Sequence, residues 1–111
     1  MEFTKVETVT DHADRITIVL VEDDEWSLDS IAVQLIRWHY RILPVRTSDL
    51  PFDVHGIQTA AAILTHKTKW EIERIMNRTD HPPVITTYDF DLSLRERIET
   101  ALRRSGLYPP A

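Results

Sequence analysis

The chain has 111 residues, 42% hydrophobic and 28% charged, with a net charge of -5 and no cysteine. That length suits one core without staples, and the lack of cysteine excludes a disulfide scaffold, a thiolate zinc centre and a cysteine nucleophile. An acidic balance repels nucleic acid unless basic residues cluster, and two glycines, at 56 and 106, are too few for a glycine-rich phosphate loop.

One small basic group exists, Arg95, Arg97, Arg103 and Arg104, but Glu96 and Glu99 interrupt it and it reads as a solvated helix face. No apolar run approaches the ~18 residues of a membrane span. The opening Met-Glu-Phe-Thr-Lys lacks the basic and apolar regions of a signal peptide, so the expected compartment is the cytoplasm.

Residues 2–10 are rich in β formers and read as a strand, followed by a turn at Asp11-His12-Ala13-Asp14. Ile16 to Val21 reads as a buried strand that ends in Glu22, Asp23, Asp24 and Glu25. In an open α/β sheet, such a strand delivers its carboxylates to the carboxyl edge, where sites usually lie. Trp26 to His39 reads as a helix. Leu28, Ile31, Leu35 and Trp38 fall on one face at spacings of three and four, with Ala32 and Ile36 beside them. The acidic residues before it suit its positive end.

Tyr40 to Arg46 reads as a short strand, and Pro44 within it argues for an edge position or an early end. Residues 47–56 read as loop with one helical turn at most. Residues 57–64 stay open between helix, favoured by Ala60-Ala61-Ala62, and a short buried strand. Thr68-Lys-Trp-Glu71 spells a capping box before a helix to about Asn77. Pro82-Pro83 precedes a strand over Val84–Tyr88. Ser93-Leu-Arg-Glu96 spells a second capping box, and Leu94, Ile98, Ala101 and Leu102 form the buried stripe of the last helix, closed by Gly106.

Strands alternating with helices at this spacing predict a three-layer α/β domain with a mostly parallel sheet of flavodoxin or receiver type. The alternative is a two-layer α+β sandwich. One domain is expected, with residues 1–14 as an extension and 15–108 as the core.

Two segments carry a resemblance. Val19-Leu-Val-Glu-Asp-Asp-Glu-Trp-Ser-Leu28 resembles the first strand and acidic turn of bacterial response-regulator receiver domains. Pro83-Val-Ile-Thr-Thr-Tyr-Asp-Phe-Asp-Leu92 and the helix after it resemble their fourth strand, switch threonine and following helix. The resemblance implies Mg²⁺ at the acidic pair, matched here by Asp23 and Asp24, and a phosphoryl-binding hydroxyl, matched by Thr86 or Thr87. Two parts of the pattern are missing. Where the phosphoacceptor aspartate is due, after Leu64, the chain has Thr65-His66, and no lysine stands near Tyr108-Pro109 where the family's fifth strand supplies one. The family's last helix is also absent. Adaptors that feed Clp-type proteases share only the first motif, with Glu22 in place of their asparagine.

The candidate site is therefore the sheet's carboxyl edge: Glu22, Asp23, Asp24, Thr65, His66, Thr86, Thr87 and Asp89, with Asp91 beside it if the strands are parallel. Asp23 and Asp24 either bind Mg²⁺ weakly, as a hard cation taking oxygen ligands, or cap a helix. No other cofactor is expected. The histidines at 12, 39, 55, 66 and 81 lack ligand spacing, and Ser27, Ser30, Ser48, Ser93 and Ser105 read as helix or cap residues. The tryptophans at 26, 38 and 70 read as core packing, although Trp26 at the acidic edge would mark a partner surface if exposed.

These features predict a pseudo-receiver signalling module that binds another protein, is not phosphorylated at a conventional aspartate, and forms a homodimer. The expected interface is Phe3, Val6 and Val9 of the extension with Leu94 to Leu107 of the last helix, because a missing terminal helix would leave part of the sheet uncovered. The alternatives are a Mg²⁺-dependent phosphate-handling enzyme or metal-binding domain using the strand-end carboxylates, and a small acidic inhibitor or accessory protein.

Overall fold

Apolar residues at every position from Ile18 to Val21 make a strand that is stable only when both of its faces are covered. In the computed structural model, which describes residues 16–50, 54–87 and 93–110, this strand is β1 (Thr17–Val21) and it is central. The chain continues through α1 (Glu25–Arg37), β2 (Arg41–Val45), a 3₁₀ turn at Thr47–Asp49, α2 (Val54–Thr59), β3 (Ala62–Thr65), α3 (Lys69–Met76), β4 (Val84–Thr86) and α4 (Leu94–Arg104). The four strands lie in the order β2-β1-β3-β4, every pair parallel. This is a three-layer, doubly wound α/β fold of flavodoxin-like order, and the two-layer sandwich is not what forms.

Each layer has its own core. Ile18 and Leu20 point to one face, where Leu35 of α1 and Leu94, Ile98 and Leu102 of α4 cover them together with Tyr40, Leu64 and Ile85. Val19 and Val21 point to the other, against Ile57 of α2 and Ile72 and Met76 of α3, with Val45, Leu50 and Ile63. The side chains of Ile18, Val19, Leu20 and Val21 are at most 2% exposed. Trp38 packs against the first layer, and the Arg95 guanidinium lies 5.6 Å above its ring, joining α1 to α4.

This packing corrects the expectation of an uncovered face. The last helix lies on the α1 face, so each side of the sheet carries a pair of helices. Leu94, expected at an interface, is 6% exposed and belongs to the core. Ile36, placed beside the buried stripe, is 56% exposed.

Helix ends follow the sequence with one exception. At α3 both halves of the capping box form: Glu71 N–H donates to Thr68 Oγ1 (3.2 Å) and Thr68 N–H to Glu71 Oε1 (2.9 Å). At α4 Ser93 makes no side-chain cap bond. That helix ends in a Schellman motif, with Leu107 N–H on Leu102 O (2.9 Å), Gly106 N–H on Arg103 O (3.0 Å) and Gly106 at φ +81°. The open stretch 57–64 proves to be the end of α2 followed by β3, and Ala61 N–H already bonds Thr17 O at 2.8 Å.

The outer edge of β2 is blunted, as Pro44 suggested. Arg41 N–H donates to Ile16 O (2.9 Å) and Glu22 N–H to Val45 O (3.2 Å). Alternate residues from Arg41 thus face β1, which leaves Ile42 and Pro44 facing outward, and Pro44 has no N–H to offer. Among the described residues, no helix is long and apolar enough to cross a membrane. Phe3, Val6, Val9, Tyr88, Asp89 and Asp91, expected in the interface, in β4 or at the site edge, lie outside the described residues.

Candidate functional site at the carboxyl edge

Parallel pairing brings the ends of β1, β3 and β4 to one edge. The strand order reverses between β1 and β3, the position where open α/β sheets form a crevice. Glu22 stands at the end of β1 and His66 at the end of β3. Glu22 Oε1 lies 3.3 Å from His66 Nδ1, with side-chain exposures of 11% and 40%. Glu22 Oε2 accepts the Asp24 N–H at 3.1 Å, whereas Oε1 is shut off from solvent without a hydrogen-bond partner. His66 is thus the contact that links the two strand ends.

The other carboxylates of the turn are engaged in local structure. Asp23 Oδ1 accepts the Thr47 N–H at 2.8 Å, fastening the acidic turn to the 3₁₀ turn after β2. That backbone bond holds the Asp23 carboxyl below the usual range. Asp24 is the N-cap of α1 and its Oδ2 accepts the Ser27 N–H at 2.9 Å, which lowers its carboxyl in the same way. Each bond favours the charged form.

The three threonines tie β4 to β3. Thr65 is 1% exposed and its Oγ1 accepts the Lys67 N–H at 3.1 Å. Thr86 Oγ1 donates to Lys67 O at 2.9 Å, and Thr87 donates to Thr65 O through its N–H (2.8 Å) and its hydroxyl (3.4 Å). Arg97 of α4 donates to Thr86 O at 2.7 Å. The structure brings Glu22 and His66 together and gathers Thr65, Thr86 and Thr87, while Asp23 and Asp24 turn to backbone donors. Among the described residues, no three His, Cys, Asp or Glu side chains are grouped so as to hold a metal.

Two residues read as core stand here instead. Trp26 and Trp70 are 77% and 79% exposed. They lie in the first turns of α1 and α3, which start where β1 and β3 end, on opposite faces of the sheet. The signal was present in the sequence. Each tryptophan stands two residues before an inward-facing one, Leu28 or Ile72, and two residues turn a helix by about 200°. An indole at that position faces away from the core.

No family model, no curated protein and no solved structure matches this chain.

Proposed function

We propose that the chain is a protein-interaction module of receiver-like architecture, not phosphorylated at a conventional aspartate, whose contact surface is the carboxyl edge of its sheet. The exposure of Trp26 and Trp70, in the helix turns that start from that edge, carries this reading. A solvated indole is costly, and tryptophan is the residue most enriched at binding hot spots. Asp23, Asp24 and the three threonines are occupied in holding the turns and strand ends, which suits a preformed surface better than a reaction centre. The end of β3 supports the second half of the reading, since Thr65 and His66 stand where an acceptor aspartate would be. A second copy of the chain is the partner available in isolation.

Sedimentation at micromolar concentration tests the association. The wild type is expected to run heavier than the 13.0 kDa monomer. Trp26→Ala/Trp70→Ala is expected to run as a monomer with an unchanged far-ultraviolet spectrum, because a hot-spot tryptophan contributes about 2 kcal/mol or more to binding. A wild type that stays monomeric, or a double variant that stays associated, sinks this reading. Incubation with acetyl phosphate and Mg²⁺ tests the chemistry. No hydroxylamine-sensitive phosphate on any aspartate is expected, and a single such adduct by mass spectrometry refutes the claim.

A further inference from the structure

The side of α1 turned away from the sheet carries an apolar stripe. Leu35 is the buried centre of this helix, with Leu28, Ile31 and Ala32 packed beside it. On the far side Trp26, Val33 and Ile36 are 77%, 49% and 56% exposed. At about 100° per residue, Val33 lies about 20° round the axis from Trp26, and Ile36 about 60° from Val33. Of the six large hydrophobic side chains exposed among the described residues, half lie on this one stripe. Apolar residues scattered singly over a surface need no explanation, whereas a contiguous group marks a place of contact.

The charges on the stripe say what covers it. Asp29 and Arg37 stand four residues before and four after Val33, about 6 Å along the axis on either side of it. Both are exposed, and neither is ion-paired among the described residues. A twofold interface must be complementary to itself, and this spacing is. Two α1 helices set antiparallel about an axis at Val33 bring Asp29 of each copy level with Arg37 of the other. Val33 then meets its own counterpart, and each positive helix end lies beside a negative one. We infer that α1 is the seam of a homodimer, formed antiparallel through Trp26, Val33 and the two Asp29–Arg37 pairs, with Ile36 bordering it. The seam rests on the reading that a second copy of the chain is a partner, and it separates the two tryptophans. Trp26 lies within it, about one turn beyond Arg37 of the other copy. Trp70, on the opposite face of the sheet, lies outside it.

A charge swap and a crosslink test the seam in the full chain. Arg37→Asp sets two like-charged pairs in every dimer, and is expected to raise the dissociation constant from sedimentation by about tenfold or more. Asp29→Arg/Arg37→Asp restores both pairs with the signs exchanged, and should return the constant to within about threefold of the wild-type value. The chain has no cysteine, so Val33→Cys places its single thiol on the axis, where two Cβ atoms can approach to about 4 Å. Thr79→Cys places one on the connection from α3 to β4, also exposed. Mild oxidation should couple the first variant into a covalent dimer at least about tenfold faster, since thiols held within one dimer meet at an effective concentration of about millimolar. Equal coupling of the two thiols, or a charge swap that restores nothing, overturns the seam. A dimer that survives Arg37→Asp and separates on Trp70→Ala overturns the seam alone and leaves the carboxyl-edge surface standing. A monomeric wild type overturns both.

Discussion

Replacing Leu35 by alanine is expected to destabilise the chain by about 2–5 kcal/mol, the range for emptying a close-packed leucine site. Leu35 is fully buried among Ile18, Leu20, Ile98 and Leu102 on the α1 face, and its carbonyl also accepts the Tyr40 N–H that closes α1. The neighbouring Ile36, 56% exposed, provides the control. Alanine there should change stability by no more than about 0.5 kcal/mol. The pair is read by urea unfolding at constant slope. Equal losses at the two positions would mean that α1 is rotated about its axis from the arrangement described.

Ile72→Ala is expected to cost a similar amount, about 2–5 kcal/mol, from the opposite layer. Ile72 is fully buried with Val19, Ile57, Ile63 and Met76, and the sheet stands between it and Leu35. Residues that share no partners combine with an error of about 0.3–0.5 kcal/mol. The double substitution should therefore lose the sum of the two single losses, which is comparable with the whole stability of an ordinary domain, about 5–15 kcal/mol. A double variant that loses much less than the sum would show that the two layers relax into one another.

How much was legible depended on whether the controlling physics was local. The β1 run and the stripe of α1 depend on short-range periodicity, and both formed as read. The two capping boxes separate local spelling from backbone geometry. Thr68 and Asp24 enter their helices in extended conformation, with ψ 162° and 118°, and cap them. Ser93 has the same motif but ψ 9°, so its backbone does not present the side chain to the helix end.

The site was less legible because its contacts span the chain. The Asp23–Thr47 bond crosses 24 residues, and Glu22 meets His66 only after β1 and β3 have paired. Hydrophobicity does not distinguish the three tryptophans and helical angle does: Trp26 and Trp70 lie off the buried stripes, whereas Trp38 lies on one.

The proline in β2 has a consequence for how this molecule can aggregate. A sheet polymerises into a fibre only if it can be extended at both borders, since each added copy must accept the next. Pro44 interrupts the donor row on one border. Among the described residues β4 forms the other border, so growth by strand addition would proceed from that side. Two molecules that meet through β4 would each turn a proline-bearing border outward. Such a pairing is a dead end, and edge-on misassembly of this chain should stop at two copies where an unblocked sheet would run on into a filament.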